Sequence, residues 1–196
     1  AVISAGAITA EIRHLTINNT GGNNNYSAGV YTNNVANESF SMNNVTATAT
    51  GGTAENYGVR NVASSLMMTN VTATATGGTA NYGVDNISSS PTMNNVTATA
   101  TGGSSSNYGV YNNSSSPMMN NVTATATGGS IKDRGVYNSN SSSPTIRNSS
   151  ITGTTDSILN SASSAKVADS MLDGLRGGGG IFCVGVYDES FAQIIC

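Results

Sequence analysis

Short stretches of this chain alternate apolar and polar residues, and the alternation returns every 25 or 26 positions. In Val45-Thr46-Ala47-Thr48-Ala49-Thr50 the valine and alanines fall on one face of an extended strand and the threonines on the other. The string Asn-Val-Thr-Ala-Thr-Ala-Thr-Gly-Gly begins at Asn44, Asn70, Asn95 and Asn121. A Tyr-Gly-Val motif follows at Tyr57, Tyr82 and Tyr108, with Tyr57 and Val59 expected on one face across Gly58. Serine-rich stretches then lead through Pro91, Pro117 and Pro144 into the next unit. No segment carries apolar residues at helical spacing over a helix length. Each unit predicts three short strands and three corners, one coil of a parallel solenoid whose backbone groups pair with the coils above and below.

Fainter copies reach both ends. Ile12 through Gly21-Gly22 matches Met42 through Gly51-Gly52, and the Gly-Val position recurs at Val30, Val136, Ile158 and Val186. The expectation is a single all-β domain over residues 1–196, a right-handed parallel β-helix of about seven coils of roughly 25 residues. Residues 1–10 form an apolar strand outside the register, 11–176 the repeat coils, and 177–196 a Gly-rich turn and last coil. Ile12, Met42, Met68, Met93, Met119, Ile146 and Val167 form one interior column. Val30, Val59, Val84, Val110, Val136, Ile158 and Val186 form another. The methionines serve adaptable packing.

Asn44, Asn70, Asn95, Asn121 and Asn148 stack as a further column, with His14 and Asp169 at its ends. Asparagine tolerates the left-handed backbone of a one-residue corner, and stacked amides can bond from coil to coil. These residues resemble the asparagine ladder of the right-handed parallel β-helix family, the fold of pectate lyases and phage tailspikes. The unit from Ser90-Pro91 through Asn107-Tyr108-Gly109-Val110-Tyr111-Asn112 is similar to the repeats of secreted bacterial β-helix proteins. The resemblance implies the fold over nearly the whole chain and leaves function open, because such solenoids host enzymes, adhesins and structural proteins. Sequons such as Asn44-Val45-Thr46 follow from the repeat itself, and an asparagine in a buried ladder could carry no sugar.

Composition narrows the functional classes. Asn, Ser, Thr and Gly make up just over half the chain, and a charged fraction of 9% argues against disorder. The net charge of −3 gives no basis for nucleic-acid binding. No apolar run is long enough for a transmembrane segment. The carboxylates, Glu38 among them, fall in different columns rather than in catalytic pairs. Arg60 with Asp85 and Arg134 with Asp156 are expected as exposed cross-coil ion pairs. His14 is the sole histidine, which excludes a multi-histidine metal site. No cofactor and no catalytic residue is expected.

Two surface arrays remain. Thr46, Thr48, Thr50, Thr72, Thr74, Thr76, Thr97, Thr99, Thr101, Thr123, Thr125 and Thr127 would form an outward grid, spaced about 6.7 Å along the strand and about 4.8 Å between coils. This grid resembles the threonine arrays of ice-binding β-solenoids. A second exposed column, Tyr31, Arg60, Asp85, Tyr111, Tyr137, Leu159 and Tyr187, could contact glycans or neighbouring chains.

The ends carry the remaining signals. Val2, Ile3 and Ile8 open the chain, and Phe191, Ile194 and Ile195 close it, apolar and strand-like with no cap in view. Open solenoid ends invite a second copy, and a head-to-tail contact that does not close gives a filament. Cys183 and Cys196 are the only cysteines, and a disulfide between them implies an oxidising compartment. The absent initiator methionine fits a cleaved secretion signal. The sequence therefore leads to a secreted, non-catalytic structural β-helix at the cell surface or in the extracellular space, assembling with itself. An ice- or glycan-binding module is the alternative, and a carbohydrate-active enzyme comes third.

Overall fold

The computed structural model describes residues 2–6, with backbone alone, and residues 10–21, 24–35 and 40–196. All regular structure in them is β. The strands are β1 (Val2–Gly6), β2 (Ala10–Asn19), β3 (Tyr26–Val35), β4 (Phe40–Thr50), β5 (Glu55–Val62), β6 (Met67–Thr76), β7 (Ala80–Ile87), β8 (Thr92–Thr101) and β9 (Ser106–Asn113). They continue as β10 (Met118–Thr127), β11 (Lys132–Ser139), β12 (Thr145–Arg147), β13 (Ser150–Ser161), β14 (Ala165–Ala168), β15 (Met171–Gly177), β16 (Ile181–Val184), β17 (Val186–Tyr187) and β18 (Gln193–Ile194). The strands of successive coils pair in parallel, as in β4–β6–β8–β10 and β5–β7–β9–β11, and among the described strands only the β17–β18 pairing is antiparallel. The result is a parallel β-solenoid.

Its long strands are bent. His14, Asn44, Asn70, Asn95, Asn121, Asn148 and Asp169 all take φ near +50°, which turns the chain by one residue between two faces of the coil. A second corner column has the same backbone at Asn34, Ala63, Ser88, Ser114, Asn140 and Ala162. There the serines provide the polar partners. The backbone N–H of Ser64 donates to Ser89 Oγ, Ser89 to Ser115 and Ser115 to Ser142.

Both apolar columns lie inside, as the alternation requires. Met42, Met68, Met93, Met119 and Ile146 have no exposed surface, nor do Val59, Val84, Val110, Val136 and Ile158. The alanines between the threonines are buried and stack in register. They face a column of glycines. A Cβ on Gly83 would stand 2.6 Å from the Gly109 carbonyl and 2.7 Å from the Thr99 nitrogen. Both contacts are backbone, so only glycine lets the two sheets approach this closely.

Several sequence expectations are corrected. The solenoid has about six turns rather than seven. Its coils shorten from 26 residues to 21, and then further where Val167 pairs with Cys183. Val186 is consequently not in the Gly-Val column. Tyr187 pairs with Met171, Met171 with Ser150 and Ser150 with Thr123, so the Val186–Tyr187 pair continues the threonine-bearing face. Tyr57 does not share a face with Val59. The alternation breaks at Gly58, so that Val59 enters the core cluster and the Tyr57 ring lies outside that cluster against Arg60. The first strand is in register after all, with Val2 opposite Val30 and Ile3 opposite Tyr31.

Candidate functional surfaces

The threonine grid forms as the alternation demands. Thr46, Thr72, Thr97 and Thr123 pair in one row, Thr48, Thr74, Thr99 and Thr125 in a second, and Thr50, Thr76, Thr101 and Thr127 in a third. Every one is partly or fully exposed, while the intervening alanines are completely buried. Thr152 extends the middle row by one coil, opposite Thr125, and Thr16 extends the first row above Thr46. Between them Asn18 breaks the middle row opposite Thr48.

The asparagine expectation is partly corrected. Asn70 Nδ2 donates to Asn44 Oδ1 at 3.1 Å and Asn95 to Asn70 at 3.0 Å, so the expected ladder exists. It is exposed, not buried, because a corner residue with positive φ directs its side chain away from the core. The buried ladders lie elsewhere. One runs from Thr32 through Asn61, Asn86, Asn112 and Asn138 to Asn160, each link 2.8–2.9 Å. The other joins Asn56, Asn81 and Asn107 and ends on Asp133. This second ladder also holds the Gly-Gly turns, since the N–H groups of Gly52, Gly103 and Gly129 donate to Asn56, Asn107 and Asp133. Asparagine recurs in sequence at both positions, before Tyr-Gly-Val and two residues after its valine, but only the placement of neighbouring coils shows that these side chains face inward.

The tyrosines gather into two adjoining stacks. Tyr57, Tyr82 and Tyr108 lie with ring centroids 5.0 Å apart at each step, and Tyr111 and Tyr137 lie 5.1 Å apart beside them. Cross-contacts of 5.7–5.9 Å join the stacks. Arg60 covers one end, 4.4 Å from the Tyr57 centroid, and Arg134 the other, 4.6 Å from Tyr137. The expected column runs from Tyr31 through Arg60, Asp85, Tyr111 and Tyr137 to Leu159. Tyr187 is not part of it, for the register reason given above. Burial pushes the phenols of Tyr57 and Tyr82 well above their ordinary value, and the hydrogen bond from Tyr57 to Glu55 pushes Tyr57 further.

Both expected ion pairs form, Arg60 with Asp85 at 3.2 Å and Arg134 with Asp156 at 3.1 Å. Neither is the exposed pair expected, since the Arg134 and Asp156 side chains are each 12% exposed and the Asp85 side chain is buried. Asp85 is 2% exposed, and neither its Oδ1 nor Arg60 Nε has an aligned hydrogen-bond partner. Burial therefore outweighs Arg60 and raises the Asp85 carboxyl to about 7. Asp133 is equally buried but well bonded, accepting from Asn107, Gly129 and the Thr154 hydroxyl.

The ends differ from the open edges expected. Cys183 and Cys196 form a disulfide, their Cα atoms 5.4 Å apart. It fastens β18, which turns back antiparallel onto β17 and places Ile194 against the core. Phe191 lies outside β18 with φ +62°, and Phe191 and Ile195 remain exposed. At the other end β1, with Val2 and Ile3, pairs with β3 of its own chain. Ile8, Gly22 and Glu38 lie outside the described residues. Among the described residues no three His, Cys, Asp or Glu side chains group as metal ligands, and no helix is long and apolar enough to cross a membrane. No family model matches the chain, and no curated protein matches its sequence.

Proposed function

We propose that this chain is a secreted, non-catalytic β-solenoid that works as a binding module, with the threonine grid as its contact face and ice as the ligand. The observation that carries this reading is the in-register array of twelve threonines over four consecutive coils, backed by alanines packed without exposed surface. Such a face is rigid and regularly spaced, so hydroxyls and methyls meet a periodic surface without losing side-chain freedom on contact. The disulfide supports an extracellular setting. Glu11, Asp85 and Asp156 each pair with a single arginine rather than with a second carboxylate, which supports the non-catalytic part. Kinship with secreted bacterial β-helix repeat proteins, suggested by the repeat, belongs to this same proposal. Ice recrystallisation inhibition at micromolar protein tests it. Activity in the parent chain, lost in a Thr74→Lys, Thr99→Lys double variant that melts normally, is the expected result. An inactive parent chain would refute the reading.

A second reading keeps a structural, self-assembling subunit of a cell-surface fibre. It is favoured by β2, whose outer edge has no partner strand among the described residues, and by β16, which is paired only with β14. The fold of β18 onto β17 weighs against it, because that strand already fills the edge on which a following copy would stack. Negative-stain microscopy separates the readings, with filaments supporting the second.

A further inference from the structure

The tyrosine stack ends at a vacant ring position. Tyr108, Tyr82 and Tyr57 occupy one register column, and the next residue in that column is Ala28. On β3 the outward positions read Tyr26, Ala28, Tyr31, so the alanine is a notch between two tyrosines. Tyr26 is 61% exposed. The notch opens a hollow of about 310 Å³ lined by Asn19, Tyr26, Ala28, Tyr31, Tyr57 and Arg60. Its floor is the Arg60 guanidinium, lying over the Tyr57 ring. β1 begins opposite Val30, so no described strand overlies Tyr26 to Ala28.

The geometry points to a binding site for one pyranose unit of a neutral glycan in this notch. Tyrosine faces suit the C–H side of a sugar ring, and a guanidinium donates to ring hydroxyls. The volume is that of a small ligand site. Charge selects against an acidic sugar. Arg60 is already engaged by Asp85, and Glu55 stands opposite Tyr26 in the register and accepts the Tyr57 hydroxyl bond. The hollow thus holds a compensated cation beside a carboxylate, an environment for hydroxyls rather than for another carboxylate. A free aromatic side chain would satisfy the ring slot but leave the guanidinium without acceptors.

The same column supplies the test. Ala28→Tyr places in the notch the residue that the next three coils carry there, so it fills the site with a side chain the fold accepts. Saturation-transfer NMR of the whole chain with maltotriose, cellotriose and mannotriose measures binding, and circular dichroism monitors the fold. At least one neutral trisaccharide is expected to bind, with affinity reduced tenfold or more in Ala28→Tyr and in Tyr26→Ala while both melt like the parent. The Thr74→Lys, Thr99→Lys variant should bind sugar normally, which separates this site from the threonine face. Absence of binding to all three sugars, undiminished binding in Ala28→Tyr, or preference for trigalacturonate or N-acetyltyrosine amide would each overturn the assignment.

Discussion

Asp85 is the residue with the largest expected signature. Its carboxyl is held at about 7 against an ordinary 3.8, first by burial, with Arg60 opposing and Glu55 adding. Between those values the unfolded chain has released a proton that the folded chain keeps, so this group costs stability progressively as pH rises from about 4 to about 7 and by a constant amount above. Asp85→Asn should therefore gain on the parent chain over that interval, by up to about 4 kcal/mol at pH 8. Urea unfolding of both proteins from pH 4 to 8 measures the difference; a gap that stays flat across the range would contradict it. A second residue expectation concerns Ala63, which holds φ +48° in a column where Asn34 and Asn140 sit. A left-handed alanine costs about 1 kcal/mol, so Ala63→Asn should raise the melting temperature by a few degrees.

At the scale of strands and ladders, inward polar columns matter as much as apolar ones. Removing one amide from the buried ladder, as in Asn112→Ala, leaves Asn86 Nδ2 and Asn138 Oδ1 without their ladder partner and should cost about 1–3 kcal/mol for each group left unsatisfied. Asn95→Gly in the exposed ladder keeps the corner geometry and should cost a few tenths. If calorimetry gives similar losses for the two, the division into inner and outer ladders fails. The core makes a parallel case: Met93→Asp or Val110→Asp buries a charge without a partner and should unfold the coil, whereas Thr99→Ser should be nearly silent. The apolar columns, the threonine face and the one-residue Asn corner were legible in the sequence because each follows from alternation or from a single permissive residue. The buried amide ladders were not, since an inward asparagine is indistinguishable by pattern from an outward one until its neighbours above and below are placed. The tyrosines depart from the pattern for the related reason that alternation shifts phase at Gly58.

For the whole molecule, the ends decide what the sides are for. The sequence of the tail from Phe191 to Cys196 suggests an apolar strand open to a second copy, whereas the expected disulfide joins it to its own coil and β18 lies antiparallel on β17. Sequence periodicity carries no information on where a repeat stops, because the terminal coils are those whose motifs fade. Closing this loop should contribute on the order of 3 kcal/mol. Cys196→Ser, or reduction, should lower the melting temperature, release the protection of Gln193 and Ile194 in hydrogen exchange, and leave the central coils protected. Equal loss of protection throughout would mean that the end coil governs the whole stack.

The in-register match of the central coils has a genealogical consequence. Leu66 could be joined to Thr92 with every column intact, because Met67 already stands opposite Thr92, Met68 opposite Met93 and Asn86 opposite Asn112. A chain built this way can lose or gain a whole turn by unequal recombination within its gene without meeting a misfolded intermediate length. Height, and with it the length of each threonine row, becomes an inherited variable that changes in single steps, while the cross-section stays constant.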